Sequence, residues 1–392
     1  MEEPRWWPSG IAQQSMDDAL SSGELRTSFG RVHLWDPCEA LTAAWWNNPP
    51  GNGVHWGIWP TQVQDVKVVS EDKFGILVAL DGDFVARICP FLVGEDVSRM
   101  ARYEPWASSV KSLPLLLPIG GWNAGSHDRV LIYETYSTSP IAQDLDSLKE
   151  LVSTMSALHS ALAAFETPNT ERLWNERLKA MEDELKPHTL WRAPHTPATV
   201  GLPGLNLDLE HTAAGETNSS WIAMPHGLAD HLVCQNDRLP SLAMLMRIER
   251  QWTTHRELDT EGRKSLLEVW ATHTPTPWSK GKALSTALGG AWVWRYNAVL
   301  EQLLMARTYG DEALEQRSLD WLGEVSRLQA RLGSLRTWKS GFWVAVTGVL
   351  VAYFGEDWGT FTSTGALLIA AGSIAFGVVT NRIYWLKDPL PY

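Results

Sequence analysis

An α+β fold in two lobes, followed by a membrane hairpin, is the fold class this sequence predicts, and three observations predict it. Strand-like runs crowd into residues 61–137, helical periodicity dominates 138–332, and two uncharged apolar runs fall within 333–392. Strands grouped first and helices grouped after them read as α+β rather than as alternating units. Residues 1–60 stand apart as an irregular, Trp-rich arm.

Seven of the 22 tryptophans precede residue 60, among Pro, Gly and Asn and with poor periodicity, so one helix near 39–46 is all that the arm predicts. The runs 63–69 and 74–80 are rich in β-branched and aliphatic residues, and Asp81-Gly82-Asp83 is a hairpin turn signal before a returning strand at 84–89. A helix is expected at 97–111, strands at 115–119 and 129–136, and a Gly-rich loop, GGWNAGSHD, between those strands. Apolar residues at Leu145, Leu148, Leu151, Val152, Met155, Leu158, Leu162 and Phe165 have helix spacing. A second helix covers 169–185, a long loop 186–220, a short strand 221–224, and helices 257–332.

The apolar runs are GFWVAVTGVLVAYFG at 341–355 and GALLIAAGSIAFGVVT at 365–380. A spanning helix needs about 20 residues, so each run borrows flanks such as Trp338, Trp358, Phe361, Ile383 and Trp385, where aromatic belts belong. Arg327, Arg331, Arg336 and Lys339 precede the first run, Arg382 and Lys387 follow the second, and the connection carries Glu356 and Asp357. Basic flanks stay in the cytoplasm, so two spans with the soluble part and both termini cytoplasmic are expected. Ala371 with Ala375, and Ser373 with Gly377, are small residues four apart that let the two helices approach closely.

The net charge of -12 argues against nucleic acid as a partner. Cys38, Cys89 and Cys234 are too far apart for a metal or disulfide pattern, and the N-terminus MEEPRWWPSG has no apolar signal segment. The glycines at 120–125 and 201–204 lack the Lys-Ser/Thr tail of a phosphate loop. His226, Asp230 and His231 do not have the spacing of a zinc site.

Several motifs occur in an order that resembles the aminoglycoside-phosphotransferase branch of the protein-kinase-like fold, over roughly 60–332. FGILVALDGDFVARICP resembles strands two and three of the small lobe. The helix with Glu104 followed by LPLLLPIGGW resembles the small-lobe helix and the approach to strand four. VLIYETY resembles the hinge strand, LKELVSTMSALHSA the long large-lobe helix, and HGLADHLVCQNDRLPSLAMLMRIER the catalytic hairpin.

The resemblance implies a bilobed kinase-like domain and assigns roles one residue at a time. Arg87 stands where the family has its phosphate lysine, with Glu104 as its pairing glutamate. Glu134 and Tyr136 stand at the hinge that meets adenine. Leu228 stands where the catalytic Asp belongs, with Asp230 as a displaced candidate. His231 stands at the metal-binding Asn and Arg247 at the metal-binding Asp, with Glu249 two residues on. His226 is architectural in that family. Histidine is a poor magnesium ligand and a guanidinium repels the cation, so no metal is expected.

Together these departures imply a pseudokinase-like domain: a membrane-tethered scaffold or regulatory subunit, with an integral membrane or membrane-associated protein as partner. No cofactor is required, although ATP could be held at the hinge without turnover. Three alternatives stay open: an active phosphotransferase using Arg87, Asp230 and Glu249, a nucleotide sensor, and an accessory subunit of a membrane assembly.

Overall fold

The computed structural model describes residues 3–48, 51, 53–92, 99–124, 127–138, 144–168, 171–187, 200–214, 219–233, 238–280, 283–285 and 290–387. The fold is α+β. Its first elements are α1 (Met16–Ser22), β1 (Glu24–Thr27), β2 (Gly30–Leu34), a 3-10 turn at Pro37–Leu41, α2 (Ala43–Asn47) and β3 (Val54–Gly57). Next come β4 (Val66–Asp72), β5 (Gly75–Leu80), β6 (Phe84–Ile88), β7 (Phe91–Leu92), α3 (Arg99–Val110), β8 (Leu115–Leu116), β9 (Gly120–Ala124) and β10 (His127–Glu134).

Among the described residues these strands form a six-stranded antiparallel sheet in the order β3-β9-β10-β6-β5-β4 and a smaller β1-β2-β7 sheet. Successive side chains alternate between faces. Ile76, Val78, Leu80, Ala86, Ile88, Val130 and Ile132 bury one face of the large sheet against Leu25, Leu34, Trp45 and Trp46. Leu131, Tyr133 and Arg87 lie on the other face. Burial on both faces explains why GILVAL in β5 is continuously apolar.

The described residues within 1–60 are therefore not an irregular arm. They form short helices and strands, add β3 to the sheet, and cover its outer face. Elements of four to seven residues are too short to show a period, and tryptophan supplies the burial that longer elements would have provided. The Gly-rich loop is corrected too, because its first five residues are strand β9. A Cβ at Gly120 would lie 2.0 Å from the Ile58 carbonyl oxygen, and one at Gly121 would lie 2.4 Å from that of Val130. Those glycines mark close strand approach, not a turn.

The second half contains α4 (Leu145–Ala161, extended by a 3-10 turn to Phe165), β11 (Thr167–Pro168), α5 (Glu171–Leu185), β12 (Val200–Gly201), β13 (Thr212–Ala214) and β14 (Ser219–Ile222). It continues with α6 (Leu228–Leu232), α7 (Ser241–His255), α8 (Thr260–His273), α9 (Thr276–Ser279) and α10 (Gly290–Tyr309). The apolar face of α4 packs with α7, α8, Trp174, Trp270 and Trp294 in one large core. The lobes share a sheet, since β8 pairs in parallel with β14, which pairs with β13. The segment expected to be a catalytic hairpin is instead helix α6 followed by helix α7.

The last two helices are α11 (Glu312–Asp357) and α12 (Ser363–Lys387). Asp311 caps α11 by accepting from the Leu314 amide at 2.9 Å. Leu322 and Val325, in its first half, pack on α10 in a soluble core. The first apolar run lies in the second half of this same helix, between Lys339 and Glu356. Among the described residues, α12 is the one helix long and apolar enough to cross a membrane. The two helices nevertheless pack as an antiparallel pair. A Cβ at Gly377 would lie 2.9 Å from Ala345, and one at Gly348 would lie 2.2 Å from Ser373. Ser373 and Gly377 thus form the expected small-residue contact, whereas Ala371 and Ala375 are exposed on another side of α12.

Candidate functional site

The lobes meet at the turn between β4 and β5 and at the segment entering β13. Lys73 and Phe74 form the turn between Asp72, the last residue of β4, and Gly75, which takes φ 117°, where a Cβ would lie 2.0 Å from the Ile88 carbonyl oxygen. In the other segment, Leu205, Leu207 and Leu209 are buried and alternate with Asn206, Asp208 and Glu210. That alternation turns Asp208 and Glu210 toward Lys73 of the small lobe, while Asn206 bonds Pro225 and Arg247.

The charges meet in a lattice. Lys73 Nζ lies 2.7 Å from Asp208 Oδ2 and 3.6 Å from Glu210 Oε2. Arg87, 1% exposed, donates to Asp72 Oδ1 at 2.7 Å. His211 bridges the lobes, with Nε2 2.9 Å from Asp72 Oδ2 and Nδ1 2.9 Å from Asp208 Oδ1. The Gln251 amide adds a bond to Asp208 at 3.0 Å. Burial opposes the charges of Asp72, Lys73, Asp208 and His211, yet their partners outweigh it. Asp72 and Asp208 are held below the usual carboxylate range, and Lys73 and His211 are raised.

Behind the lattice a cleft of about 660 Å³, part of it open solvent, runs between α7 and α10 under the β4–β5 turn. Lys73, Asp208, Asp230, Arg247, Arg250 and Glu301 supply its charges. Arg247 donates from each of its three nitrogens, to Asp230 at 2.6 Å, Asn206 at 2.9 Å and Glu301 at 3.1 Å. Glu301 also pairs with Arg177 at 2.5 Å.

The expected site residues divide. Arg87 is buried on the sheet face opposite the tryptophan core, and its partner is Asp72. Glu104 sits on α3, and its side chain lies outside the described residues. Glu134 ends β10 and is exposed, while Tyr136 follows beside Tyr133, ring centroids 6.3 Å apart, with its pKa raised by burial. Asp230 reaches the cleft, but as the partner of Arg247 and an acceptor from the Gly227 amide at 3.1 Å. His231 lies against His226 on α6, ring centroids 5.4 Å apart. Glu249 points away into a buried pair with Arg295, at 2.9 and 3.0 Å, beside Arg263 at 3.4 Å. Two positions along α7 are about 200° of rotation, so Glu249, the second catalytic candidate, faces away from Arg247 and is bonded as a structural anion.

Lys73, Asp208, Glu210 and His211 were not anticipated. A polar Asp-Lys pair inserted between two apolar strands, and the acid–apolar alternation of NLDLEH inside a long loop, are the signals that mark them. Asp208, Glu210 and His211 bring one ligand atom each within 4.8 Å of the others. Lys73 already neutralises that cluster.

His211 makes a pH prediction. Its raised pKa means that its contribution is complete below the unfolded value of 6.5 and is lost as pH rises through the folded value. The melting temperature of the native chain should therefore fall relative to His211→Gln as pH rises above 6.5 and through the raised folded value. Parallel pH profiles would contradict this ion-paired state.

No family model matches the chain, and no curated protein matches it. Among solved structures, a glucosamine kinase in complex with glucosamine, ADP and inorganic phosphate is similar at TM-score 0.46 and 12% identity, over 83% of this chain and 99% of that one. A choline kinase from Cryptosporidium parvum is similar at TM-score 0.40 and 11% identity, over 76% and 94% of the two chains. The GDP complex of wild-type aminoglycoside 2'-phosphotransferase-IIIa is similar at TM-score 0.33 and 15% identity, over 67% and 93%.

Proposed function

We propose that this protein is a membrane-held, kinase-like binding or regulatory subunit whose interlobe cleft does not transfer phosphate. The kinase-like reading is supported by the strand order, with α3 inserted between β6 and β9 and a helical lobe following β10. The inactive reading is carried by one observation. Three basic groups at and beside the cleft are spent on this chain's own carboxylates, Lys73 on Asp208, Arg87 on Asp72, and Arg247 on Asp230 and Glu301, while Arg250 in the cleft lining bonds Gln302. Phosphoryl transfer needs such groups free to neutralise the transferring phosphate. Arg247 also places a fixed positive charge beside Asp230, the displaced candidate for the catalytic carboxylate.

The membrane reading is supported by apolar side chains turned outward along both helices, including Trp343, Val344, Tyr353, Leu367, Leu368 and Val378. In this proposal the second half of α11 is the first span, α12 is the second, and the soluble lobes face the cytoplasm. The partner is an integral membrane or membrane-associated protein brought alongside by the hairpin.

A second reading, active phosphotransfer, is favoured by the position of Asp208 in the cleft lining, on the segment that leads into β13. In that case Asp208, not Asp230, orients the acceptor hydroxyl. The test is calorimetric and thermal titration of the full-length chain in detergent with ATP, with and without magnesium. A ligand that binds the native state alone raises the melting temperature. The proposal expects no magnesium-dependent shift and no ADP release. Turnover that disappears in Asp208→Asn would overturn it in favour of the second reading.

A further inference from the structure

The tip of the β4–β5 hairpin is held from outside its own sheet. Strand β4 lies at the sheet edge, its pairing with β5 is irregular between Val68 and Ser70, and Val68 and Val69 are exposed. Within the small lobe, β5 and Arg87 restrain the tip. Leu131 and Tyr133 of the small lobe pack with Phe74, and the Asp72 carboxylate accepts from the Phe74 amide, but apart from Arg87 the described ion-pair partners of Asp72 and Lys73 come from the large lobe. Asp72 meets His211, Lys73 meets Asp208 and Glu210, and the Phe74 ring stands edge-on to His211 at 5.2 Å. The Tyr309 hydroxyl, at the end of α10, donates to the Lys73 carbonyl at 2.9 Å. These contacts close a roof, since Lys73 and Phe74 line the cleft that Asn206, Arg247 and Gln251 line from below.

We infer that this tip is an autoinhibitory latch: Asp72 and Lys73 hold the small lobe down on His211 and Asp208, and the cleft admits a ligand when those pairs part. The inference rests on the cleft being a ligand site, as proposed above. The physical basis is competition in cis. A lysine tethered by a short turn faces its carboxylates at an effective concentration of roughly millimolar or more. A free cation, or a ligand bringing its own counter-charge, must displace it. Asp72 couples the two halves, because the carboxylate that receives Arg87 from the sheet also receives His211 from the large lobe.

Hydrogen exchange on the full-length chain in lipid nanodiscs tests the latch, with ATP as the ligand probe. Lys73→Gln is expected to speed exchange at residues 72–77 and 206–212 at least tenfold while α7 and α10 stay protected, and to bind ATP where the native chain does not. Unchanged exchange at the tip in Lys73→Gln overturns the latch, as does ATP binding to the native chain with its tip still protected. If Lys73→Gln also loosens α7 and α10, the swapped pair Lys73→Asp with Asp208→Lys decides. Regained protection supports the latch and continued loss overturns it. A tip that opens without ATP binding keeps the latch and removes the nucleotide reading of the cleft.

Discussion

Replacing Asp208 by alanine is expected to cost the fold about 3–5 kcal/mol, the range for removing one partner of a buried ion pair. Asp208 is 3% exposed and is the convergence point of the interlobe lattice. Its Oδ2 accepts from Lys73 and Gln251, and its Oδ1 accepts from the Glu210 amide and from His211. Without it the Lys73 ammonium, 18% exposed, keeps only the more distant Glu210 as a described carboxylate partner. The penalty comes from the cation left without adequate compensation, not from the bond lost. Asp208→Asn retains the shape and some acceptor capacity, so it should lose markedly less. Urea unfolding followed by tryptophan fluorescence measures both, and equal losses for Ala and Asn would show that shape rather than charge holds the site.

Truncating Trp46 to alanine should be comparably damaging, at about 3–5 kcal/mol, the cost of removing a large buried aromatic. Trp46 is 0% exposed, stacks on Trp59 at 5.1 Å, meets Trp45 edge-on at 5.2 Å, and donates its indole N–H to the Ala40 carbonyl at 2.8 Å. It belongs to the core that joins the N-terminal residues to the outer face of the large sheet. The variant should lower the midpoint of unfolding and make residues 3–60 cleavable by protease while α7 and α10 remain resistant. Trp343→Ala, at a side chain 64% exposed on α11, serves as the control and should leave the soluble lobes unaffected. A Trp46→Ala chain as protease-resistant as the native one would return these residues to the status of a loosely attached arm.

Much of the molecule was legible in its residues because it is written locally. The period of α4, the turn at Asp81-Gly82-Asp83, the apolar run of β5 and the uncharged stretch of α12 each depend on neighbours within a few positions. Residues 1–60 were not legible in this way, since their elements are short and their tryptophans do not say which surface they cover. GGWNAGSHD was misread for a related reason. Glycine marks either a turn or a place where backbones nearly touch, and only the positions of Ile58 and Val130 distinguish the two.

The site divides along the same line. Sequence order placed Arg87 on a strand of the small lobe, and put Arg247 where a cation could not bind. It could not reveal that Arg87 would be paired by Asp72, that Asp230 would be consumed by Arg247, or that Glu249 would turn toward Arg295. Ion pairs between residues 15 to 46 positions apart carry no local pattern, and a carboxylate looks alike whether it faces a metal, an arginine or water.

The sequence by itself determined the α+β order of elements, the acidic balance, and the apolar character of the C-terminal helix, all of which follow from composition and short-range periodicity. Only the tertiary structure decided that the β4–β5 turn closes the cleft. That contact joins Asp72 and Lys73 to Asp208 and His211, more than a hundred residues away, and it exists only once both lobes have folded and met.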